Sequence, residues 1–378
     1  MNSVSSALSW RRNDLETDRS WIQPLEQTAV DDFLRALEHA LTTRKPLLQM
    51  SKSDFPIRED GQRALSKVLA ATQGGYGIAL VRGVPIAGLA EDEARVLFWG
   101  IGLHLGVARP QGKNSQFMSD VRAEGGEYRS PTGRGYNTNA SLDFHSDAAD
   151  IVALLCLRDA KTGGESLVTS SIAARNEMMQ ARPDLVEVLY RPFVYSRQGE
   201  QAPEEAPYFE MPIFGERNGH FACRHVRNHI NGAQASFSEV PRLTPTQTQA
   251  LEFFDATLAR DDLCFRMYLQ PGDIQFLNNH VVLHSRTGFE DHEEPERRRH
   301  LLRLWLAIPQ AQALPESWSV FFKDSEPFAV RGGHRGQQIS PEMEAYEQRL
   351  AREHGMALRI YEDRQVGRPL RQEATGSA

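Results

Sequence analysis

The sequence predicts an α+β protein with a mainly β core, in which helices cover an antiparallel sheet. Helix-like segments dominate up to about residue 105, whereas extended segments dominate from residue 151 onward. Strands and helices do not alternate regularly, as they would in a parallel βαβ fold. No internal repeat of the length typical of solenoids is visible. The order of elements therefore favours antiparallel pairing with helical cover.

Helices are predicted where capping residues precede a helical pattern of apolar positions. The clearest begins at Thr244-Pro245, because Thr is a good cap and Pro fits the first helical position. The predicted helices are a segment starting at residue 28 and the ranges 62–72, 90–105, 244–260 and 341–354.

Strands are predicted from apolar and β-branched runs bounded by turn residues. Residues 151–157 form a continuous apolar run, which is typical of a strand buried on both faces. The predicted strands are 76–83, 151–157, 165–170, 191–197, 208–214, 219–226, 264–269, 273–284 and 299–308.

These elements divide the chain into three parts. Residues 1–74 form an N-terminal arm with helices, and residues 1–25 are expected to be loose. Residues 75–310 form the core domain, and residues 311–378 form a helical extension with a polar tail. Within the core, residues 106–140 contain six glycines and two prolines. So long a loop is usually functional, so it is predicted to be a lid, and a floppy surface insertion is the alternative.

Composition excludes several classes of protein. The formal net charge of the 378 residues is -7, which argues against a nucleic-acid or anionic-membrane binder. The three cysteines, Cys156, Cys223 and Cys264, form no C-x-x-C pair, so reduced thiols in a cytoplasmic protein are expected. No signal peptide and no membrane span are predicted.

A first candidate metal-binding motif is Phe144-His145-Ser146-Asp147. Residues i and i+2 of a strand point to the same face. His145 and Asp147 can therefore direct an imidazole nitrogen and a carboxylate at one point, as two ligands of a 2-His-1-carboxylate triad. The motif is short, and a surface His-Ser-Asp turn is the alternative.

A second candidate segment is the long apolar strand predicted over residues 273–284. It contains two histidines, His280 and His284. On one strand they would be ~13 Å apart. Only one of them can therefore share an ion with His145 and Asp147.

A third candidate is Arg303, a lone charge in a strand of large apolar residues. A buried guanidinium needs an anionic partner. A dicarboxylate ligand gripped at one end would supply it, and Arg299 on the same strand face is placed to assist. A structural salt bridge to an acid elsewhere in the fold is the alternative.

Taken in order, these segments resemble the TauD/TfdA-like (taurine / 2,4-dichlorophenoxyacetate dioxygenase) family of Fe(II)/2-oxoglutarate-dependent oxygenases. The resemblance covers roughly residues 75–310. The matching motifs are His145-Ser-Asp147, Gly163-Gly-Glu-Ser166, Asn279 before His284, and Arg303 on the last core strand. The interval from His284 to Arg303 is longer than in the taurine enzymes, which leaves the choice between Arg299 and Arg303 open.

The resemblance implies a double-stranded β-helix (jelly roll) with flanking helices. It implies that His145, Asp147 and His284 bind Fe(II). It further implies that Ser166 and Arg303 hold the distal carboxylate of 2-oxoglutarate, with Arg299 as a second basic neighbour. The expected reaction uses O2 to oxidise, chiefly to hydroxylate, a C–H bond of a small molecule, with release of succinate and CO2.

Substrate contacts are less defined by the sequence. Tyr136, Asn137, Asn139 and Asn279 are candidate contacts near the iron. An anionic or amphoteric substrate would suit the basic and aromatic residues of the lid and its surroundings, although a solvated loop explains them equally well. Those residues are Arg122, Tyr128, Arg129, Arg134, Tyr136, Tyr208 and Arg224.

Two alternatives of other classes remain at this point. One is a catalytically silent ligand-binding protein on the same fold, and the other is a metalloenzyme that needs no 2-oxoglutarate. A zinc site at His225 and His229 is disfavoured because the Glu of H-E-x-x-H is absent. Assembly into a homo-oligomer stays open.

Overall fold

The computed structural model describes residues 7–128, 135–335 and 338–359. The elements before the metal-binding segment are α1 (Arg12–Thr17), β1 (Ile22–Pro24), α2 (Gln27–Thr43), α3 (Glu59–Gln73), β2 (Ile78–Arg82), α4 (Glu91–Leu105), β3 (Val107–Ala108) and β4 (Met118–Val121). The central elements are β5 (Ile151–Arg158), β6 (Thr162–Gly163), β7 (Ser166–Ser170), α5 (Ser171–Ala181), α6 (Pro183–Leu189), β8 (Pro192–Ser196), β9 (Tyr208–Pro212), β10 (Phe214–Arg217), β11 (His220–Cys223), α7 (Arg227–Ser236) and α8 (Pro245–Leu258). The last elements are β12 (Phe265–Met267), β13 (Ile274–Asn278), β14 (Val282–Arg286), β15 (Phe289–Glu290), β16 (His300–Ala307), α9 (Ser319–Phe322) and α10 (Pro341–Glu353).

Two β-sheets form the centre of the molecule. The larger sheet has the order β1-β2-β13-β5-β16-β3, with β4 also paired to β16. Its pairs are antiparallel except β1 with β2. The smaller sheet has the order β12-β7-β14 and is antiparallel. The mixture of sheets and covering helices agrees with the predicted α+β class.

Strand β5 shows why the apolar run at residues 151–157 is continuous. Ile151, Ala153 and Leu155 belong to one buried apolar cluster, which the larger sheet shares with helices α2, α3, α4 and α10. Val152 and Cys156 belong to another, which includes residues of the smaller sheet and of α5, α6 and α8. Both faces of β5 are therefore buried, as the sequence predicted.

The N-terminal segment is packed, so the prediction of a loose arm is wrong for residues 7–25. Trp10, Leu15 and Trp21 are buried in the cluster that contains the smaller sheet. The indole Nε1 of Trp10 donates to the carbonyl oxygen of Tyr76 at 2.7 Å. Three apolar side chains spaced among charges were enough to anchor a segment whose average composition is polar.

The predicted lid is also partly regular structure. Strands β3 and β4 lie within residues 106–140 and pair with β16, so this part belongs to the larger sheet. Residues 122–128 and 135–140 are irregular. Arg129 and Arg134, which were candidate substrate contacts, lie outside the described residues.

The strand predicted over residues 273–284 is in fact two strands. The side-chain Oδ1 of Asn278 accepts from the amide of His280 at 3.0 Å, and the amide of Val281 donates to the carbonyl of Asn278 at 3.2 Å. This turn carries the chain from β13 in the larger sheet to β14 in the smaller sheet. The estimate of the His280–His284 separation on a single strand therefore does not apply.

Other elements follow the sequence more closely. Helix α8 begins as predicted, because Thr244 Oγ1 accepts from the amide of Gln247 at 3.2 Å. Helix α10 matches the predicted C-terminal helix, and its Tyr346 and Leu350 are buried against the N-terminal helices. Helices α1, α5, α6, α7 and α9 were not predicted. Within the described residues, no helix has the length and apolar character needed to cross a bilayer.

Candidate active site

The first two predicted ligands, His145 and Asp147, lie on an extended segment. This segment runs between strand β14 and the residues around Val226. The amide of His145 donates to the carbonyl of His284 at 2.9 Å, and the reverse bond has the same length. On its other side His145 bridges to Val226, and the amide of Ser146 donates to the carbonyl of His225 at 3.0 Å. The pairing with β14 brings the third ligand, His284, directly opposite the first.

His145, Asp147 and His284 converge as the i, i+2 argument predicted. Their ligand atoms all lie within 4.8 Å of one another. His284 Nε2 lies 3.8 Å from Asp147 Oδ2, and this oxygen is buried without a hydrogen-bond partner. A buried carboxylate oxygen normally has a partner. A divalent ion between the two imidazoles and this oxygen would supply one, so the donor set fits iron(II).

Neighbouring groups fix the orientation of His145 and the position of Asp147. The ring nitrogen Nδ1 of His145 lies 2.9 Å from the carbonyl of Asp143. An Nδ1–H bonded to that carbonyl leaves Nε2 as the metal-binding nitrogen. The amide of Asp147 donates to Asn279 Oδ1 at 3.1 Å. Asn279 therefore holds the metal-binding segment, which differs from its predicted role as a substrate contact.

The protonation of the site suits metal binding. Burial lowers the pKa of His284 to about 3, with His145 adding to the effect, and burial also lowers the pKa of His145. Burial alone would raise the pKa of Asp147, but the guanidinium of Arg303 and the two imidazoles outweigh it and lower that pKa to about 2. The imidazoles are thus neutral and the carboxylate is ionised at neutral pH, which is the state that binds a metal.

The competing histidine, His280, belongs to a separate network. Its Nε2 lies 2.8 Å from Asp150 Oδ1, and Arg331 Nε donates to the same oxygen at 2.8 Å. The second carboxylate oxygen accepts from the amide of Ile308 at 3.1 Å. His280 is therefore engaged with Asp150, and His284 stays the predicted third ligand.

A cavity opens beside the three ligands. Apolar side chains form part of its wall, including Val121, Leu154, Leu301 and Trp305. Polar side chains also line it, among them Gln111, Ser166, Arg224, Arg286, Arg299, Arg303 and Tyr136. Asp147 and Glu200 are the acids of this lining within the described part of the chain. A cavity with an apolar wall and convergent polar groups is suited to a small polar ligand.

Arg303 has a partner that the sequence could not reveal. Its Nη1 lies 3.5 Å from Asp147 Oδ1, and its Nε donates to Gln111 Oε1 at 2.8 Å. Its guanidinium also lies over the rings of Trp305 and Tyr136, at 4.8 and 5.7 Å from their centroids. Arg303 is therefore held at the metal-binding end of the cavity.

Arg299 lies in a second cationic group with Arg286. Both guanidinium groups stack on Phe289, at 5.0 Å and 4.7 Å from the ring centroid. Both side chains are buried, and Nη1 of each lacks a hydrogen-bond partner. Burial lowers the pKa of Arg286 to about 9 and also lowers that of Arg299. Two buried cations without bound carboxylates form a site for an anion.

Ser166 lies beside this pair of arginines. It is opposite Arg286 in the β7–β14 register, and its Oγ donates to Gln275 Oε1 at 3.0 Å. A Cβ atom on Gly164, two residues earlier, would lie 3.2 Å from Arg299 Nε. The Gly163-Gly-Glu-Ser166 motif therefore packs against Arg299.

The predicted substrate contacts are only partly brought to the cavity. Tyr136 lines it, whereas Asn137, Asn139 and Asn279 are absent from its lining. Asn137 and Asn139 act through backbone carbonyls, which accept from Glu124 and Phe289. Arg286 was given no role from the sequence, although its position two residues after His284 places both on the same strand face.

Several known proteins are similar to this chain. FR-33289 synthase of Streptomyces rubellomurinus is 33% identical over 321 residues, covering 84% of this chain and 94% of the relative. Taurine hydroxylase-like protein SAT17 of Stachybotrys chartarum is 29% identical over 313 residues, covering 80% of this chain and 79% of the relative. The solved structure of asparagine oxygenase with Fe(II), 3-hydroxyasparagine and succinate covers 76% of this chain and 93% of its own, with a TM-score of 0.57 and 19% identity, which shows the shared fold.

Two histidines and one carboxylate that converge on one point are the donor set typical of a non-haem iron oxygenase. The family model for the taurine catabolism dioxygenase TauD, TfdA family matches residues 22–305, and the chain belongs to that family. The protein is thus a 2-oxoglutarate-dependent non-haem iron dioxygenase that uses Fe(II), 2-oxoglutarate and O2 on a small molecule. The predicted family and cofactors are confirmed.

Proposed function

We propose that this dioxygenase hydroxylates an aliphatic C–H bond of a small anionic or amino-acid-like molecule, and that His145, Asp147 and His284 hold its iron. The observation that carries the metal assignment is the orphaned Oδ2 of Asp147 beside two neutral imidazoles. The name of the family and of one relative refers to taurine, a small zwitterionic sulfonate. A cavity with both cationic and apolar walls suits such molecules.

The co-substrate assignment differs from the one expected from the sequence. Arg303 contacts Asp147, so we assign it to the metal-proximal carboxylate of 2-oxoglutarate. Arg299, with Ser166 and Arg286 beside it, is assigned to the distal carboxylate, because its Nη1 is buried without a partner. A dicarboxylate would then have a cation at each end, with its charge matched inside the cavity.

When bound, the iron and its co-substrate supply the oxidising power for C–H cleavage. The protein's own part is to bind, orient and exclude water. Leu154, Leu301 and Trp305 supply an apolar wall beside the ligands, and Tyr136 covers Arg303 from the lid. Such walls limit access of bulk water to the reacting carbon.

Two further features, the fold and the cellular location, complete the proposal. The larger and smaller sheets, which are connected by the turn between β13 and β14, are taken to form a double-stranded β-helix (jelly roll). The three free cysteines are all buried, which supports a reduced, cytoplasmic protein.

The test is an anaerobic titration with Fe(II) and 2-oxoglutarate, followed by the visible charge-transfer band of their chelate. Succinate release in air is then measured over a substrate panel. Asp147→Ala should abolish both signals, whereas Asp261→Asn at an exposed position should change neither. Full activity in Asp147→Ala would overturn the ligand assignment. A wild-type protein that shows neither signal would be a silent binder or an enzyme independent of 2-oxoglutarate.

A further inference from the structure

A short strap, residues 331–334, lies against the metal-binding segment, although it follows the part of the chain that matches the family model, residues 22–305. The amide of Gly333 donates to the carbonyl of Ala148 at 2.6 Å. Gly332 and Gly333 have φ values of 74° and 79°, which residues with side chains rarely adopt. A Cβ atom on Gly332 would overlap the carbonyl oxygen of Ala148. The two glycines therefore allow this close approach.

A buried ion pair anchors the strap. Arg331 is fully buried, and its Nε donates to Asp150 Oδ1 at 2.8 Å. Its Nη2 donates to the carbonyl of Gln312 at 2.6 Å. Because Asp150 follows the proposed ligand Asp147 by three residues, the strap is fixed to the segment that carries this ligand.

The strap places His334 in the wall of the active-site cavity. His334 is buried, and its ring centroid lies 5.5 Å from that of Trp305 and 5.8 Å from that of Phe321. Its Nε2 lies 3.5 Å from Oε2 of Glu200, which lines the same cavity. The wall therefore contains a buried pair of an imidazole and a carboxylate, contributed by distant parts of the chain.

Strand β16 shows where this pair lies relative to the other groups of the site. Arg303 on β16 contacts Asp147 and so marks the position of the proposed metal ligands along the strand. Arg299, which is assigned to the co-substrate, precedes Arg303 by four residues, whereas Trp305 follows it by two. Successive residues of a strand advance about 3.3 Å. Trp305, and with it His334, therefore lies on the side that the co-substrate leaves free for the substrate.

Glu200 is the acidic group on this side of the cavity. Within the described residues, the other acid of the lining is Asp147, which belongs to the proposed ligands. Glu200 is 4% exposed, and a buried carboxylate needs hydrogen-bond donors or cations around it. A substrate end with an N–H or O–H group supplies such a donor, whereas a methyl end would add only desolvation.

We propose that the strap closes the substrate side of the cavity, and that Glu200, held by His334, accepts a hydrogen bond from the far end of the substrate. The substrate is then a short molecule with a donor at one end, and an ammonium is favoured because it also carries the opposite charge. Trp305 follows Arg303 by two residues, or roughly 7 Å along the strand, so only a few atoms separate the oxidised carbon from this donor. This inference rests on the proposed function and specifies the substrate of the same site.

The binding test uses the whole protein loaded anaerobically with Fe(II) and saturating 2-oxoglutarate. The probes are two sets of molecules that differ only in the end group, and they are titrated by calorimetry. One set is 4-aminobutyrate, 4-hydroxybutyrate and pentanoate, and the other is 3-aminopropanesulfonate, 3-hydroxypropanesulfonate and butanesulfonate. In at least one set, the ammonium member should bind at least about tenfold more tightly than the methyl member, or roughly 1.4 kcal/mol.

Two variants assign this preference to the pair. Glu200→Gln keeps the shape and an acceptor but removes the charge, so the ammonium advantage should fall at least about tenfold while the hydroxyl advantage changes less than about threefold. His334→Phe keeps a ring between Trp305 and Phe321 but loses the contact with the carboxylate, and should reduce the ammonium advantage at least about threefold. Both variants should leave the half-saturating 2-oxoglutarate concentration within about threefold. Glu210→Gln, at an exposed position of β9, should change none of these values.

Several results would overturn the proposal. These are failure of every probe to bind the loaded wild type, equal binding of the ammonium and methyl members in both sets, or an ammonium advantage that survives in Glu200→Gln or His334→Phe. A role of either residue in folding alone would weaken the three members of a set equally, and that result also contradicts the proposal. If Glu200→Gln does not fold, Glu200→Asp decides. The carboxylate then recedes by one methylene, so 5-aminopentanoate should gain at least about threefold on 4-aminobutyrate, and an unchanged ratio contradicts the proposal.

The same experiment separates the two proposals. A wild-type protein without the charge-transfer band and without succinate release refutes the proposed function itself. A protein with both signals but without the ammonium preference refutes only the role of Glu200.

Discussion

Replacing Arg299 by Gln should raise the 2-oxoglutarate concentration for half-maximal turnover by about 30- to 1000-fold. Arg299 is 6% exposed, and its Nη1 has no hydrogen-bond partner. A bidentate, charge-assisted contact with a carboxylate is expected to contribute about 2–4 kcal/mol. Each 1.4 kcal/mol corresponds to roughly a tenfold change in affinity, which gives the stated range.

The assay is succinate release as a function of 2-oxoglutarate at saturating Fe(II). Arg297→Gln is the matched control, because Arg297 is exposed and pairs only loosely with Glu294 at 3.6 Å. Arg303→Gln should affect the half-saturating concentrations of both 2-oxoglutarate and Fe(II), since Arg303 also contacts Asp147. An Arg299→Gln variant within about threefold of wild type, with a strong effect confined to Arg303→Gln, would refute the assignment and restore the order expected from the sequence.

Three further predictions follow from buried contacts. His280→Gln should lower the thermal midpoint but keep the Fe(II)/2-oxoglutarate band, whereas His284→Gln should lose the band. Glu347→Gln should lower the free energy of unfolding by about 3–5 kcal/mol in urea, because it leaves the buried Arg109 without its carboxylate. Arg286→Met should speed hydrogen exchange of the amides in residues 137–142, because its Nη2 donates to two lid carbonyls.

Each of these three predictions has its own control or contrary outcome. Glu342→Gln, on the exposed side of the same helix, should leave the free energy of unfolding within about 0.5 kcal/mol of the wild-type value. If Glu347→Gln had the same free energy of unfolding as Glu342→Gln, the ion pair between Glu347 and Arg109 would not be stabilising. Retention of the band in His284→Gln would reassign the third ligand, and unchanged exchange in Arg286→Met would show that the lid is held elsewhere.

The sequence was sufficient to predict that His145, Asp147 and His284 lie together, because their geometry is local or follows from strand pairing. His145 and Asp147 share a face through simple alternation, and the family resemblance selected His284, which lies opposite His145, over His280. The break between β13 and β14 was missed, since the turn signal at Asn278 stands within an otherwise apolar run. Helix α5 was missed although the sequence contains its capping residue. Ser170 Oγ accepts from the amide of Ala173 at 3.1 Å.

Roles that depend on distant contacts were not predictable. Arg303 looked like an isolated charge because its partners, Asp147 and Gln111, are far from it in the chain. Asn279 was expected to face the substrate, but its side chain is engaged by the amide of Asp147. In both cases the identity of the partner required the fold.

The attachment of the lid by Arg286 has a consequence for variation in that loop. Arg286 Nη2 bonds to the carbonyl oxygens of Thr138 and Ala140, at 2.8 and 2.5 Å, and to neither side chain. A backbone acceptor is present whatever residue occupies the position. The side chain at the exposed position 140 can therefore be exchanged while the anchor is kept, so a library at that position should preserve folding and co-substrate use. Thr138 is less free to vary, because it is buried and its Oγ1 accepts from the amide of Ala140 at 3.2 Å.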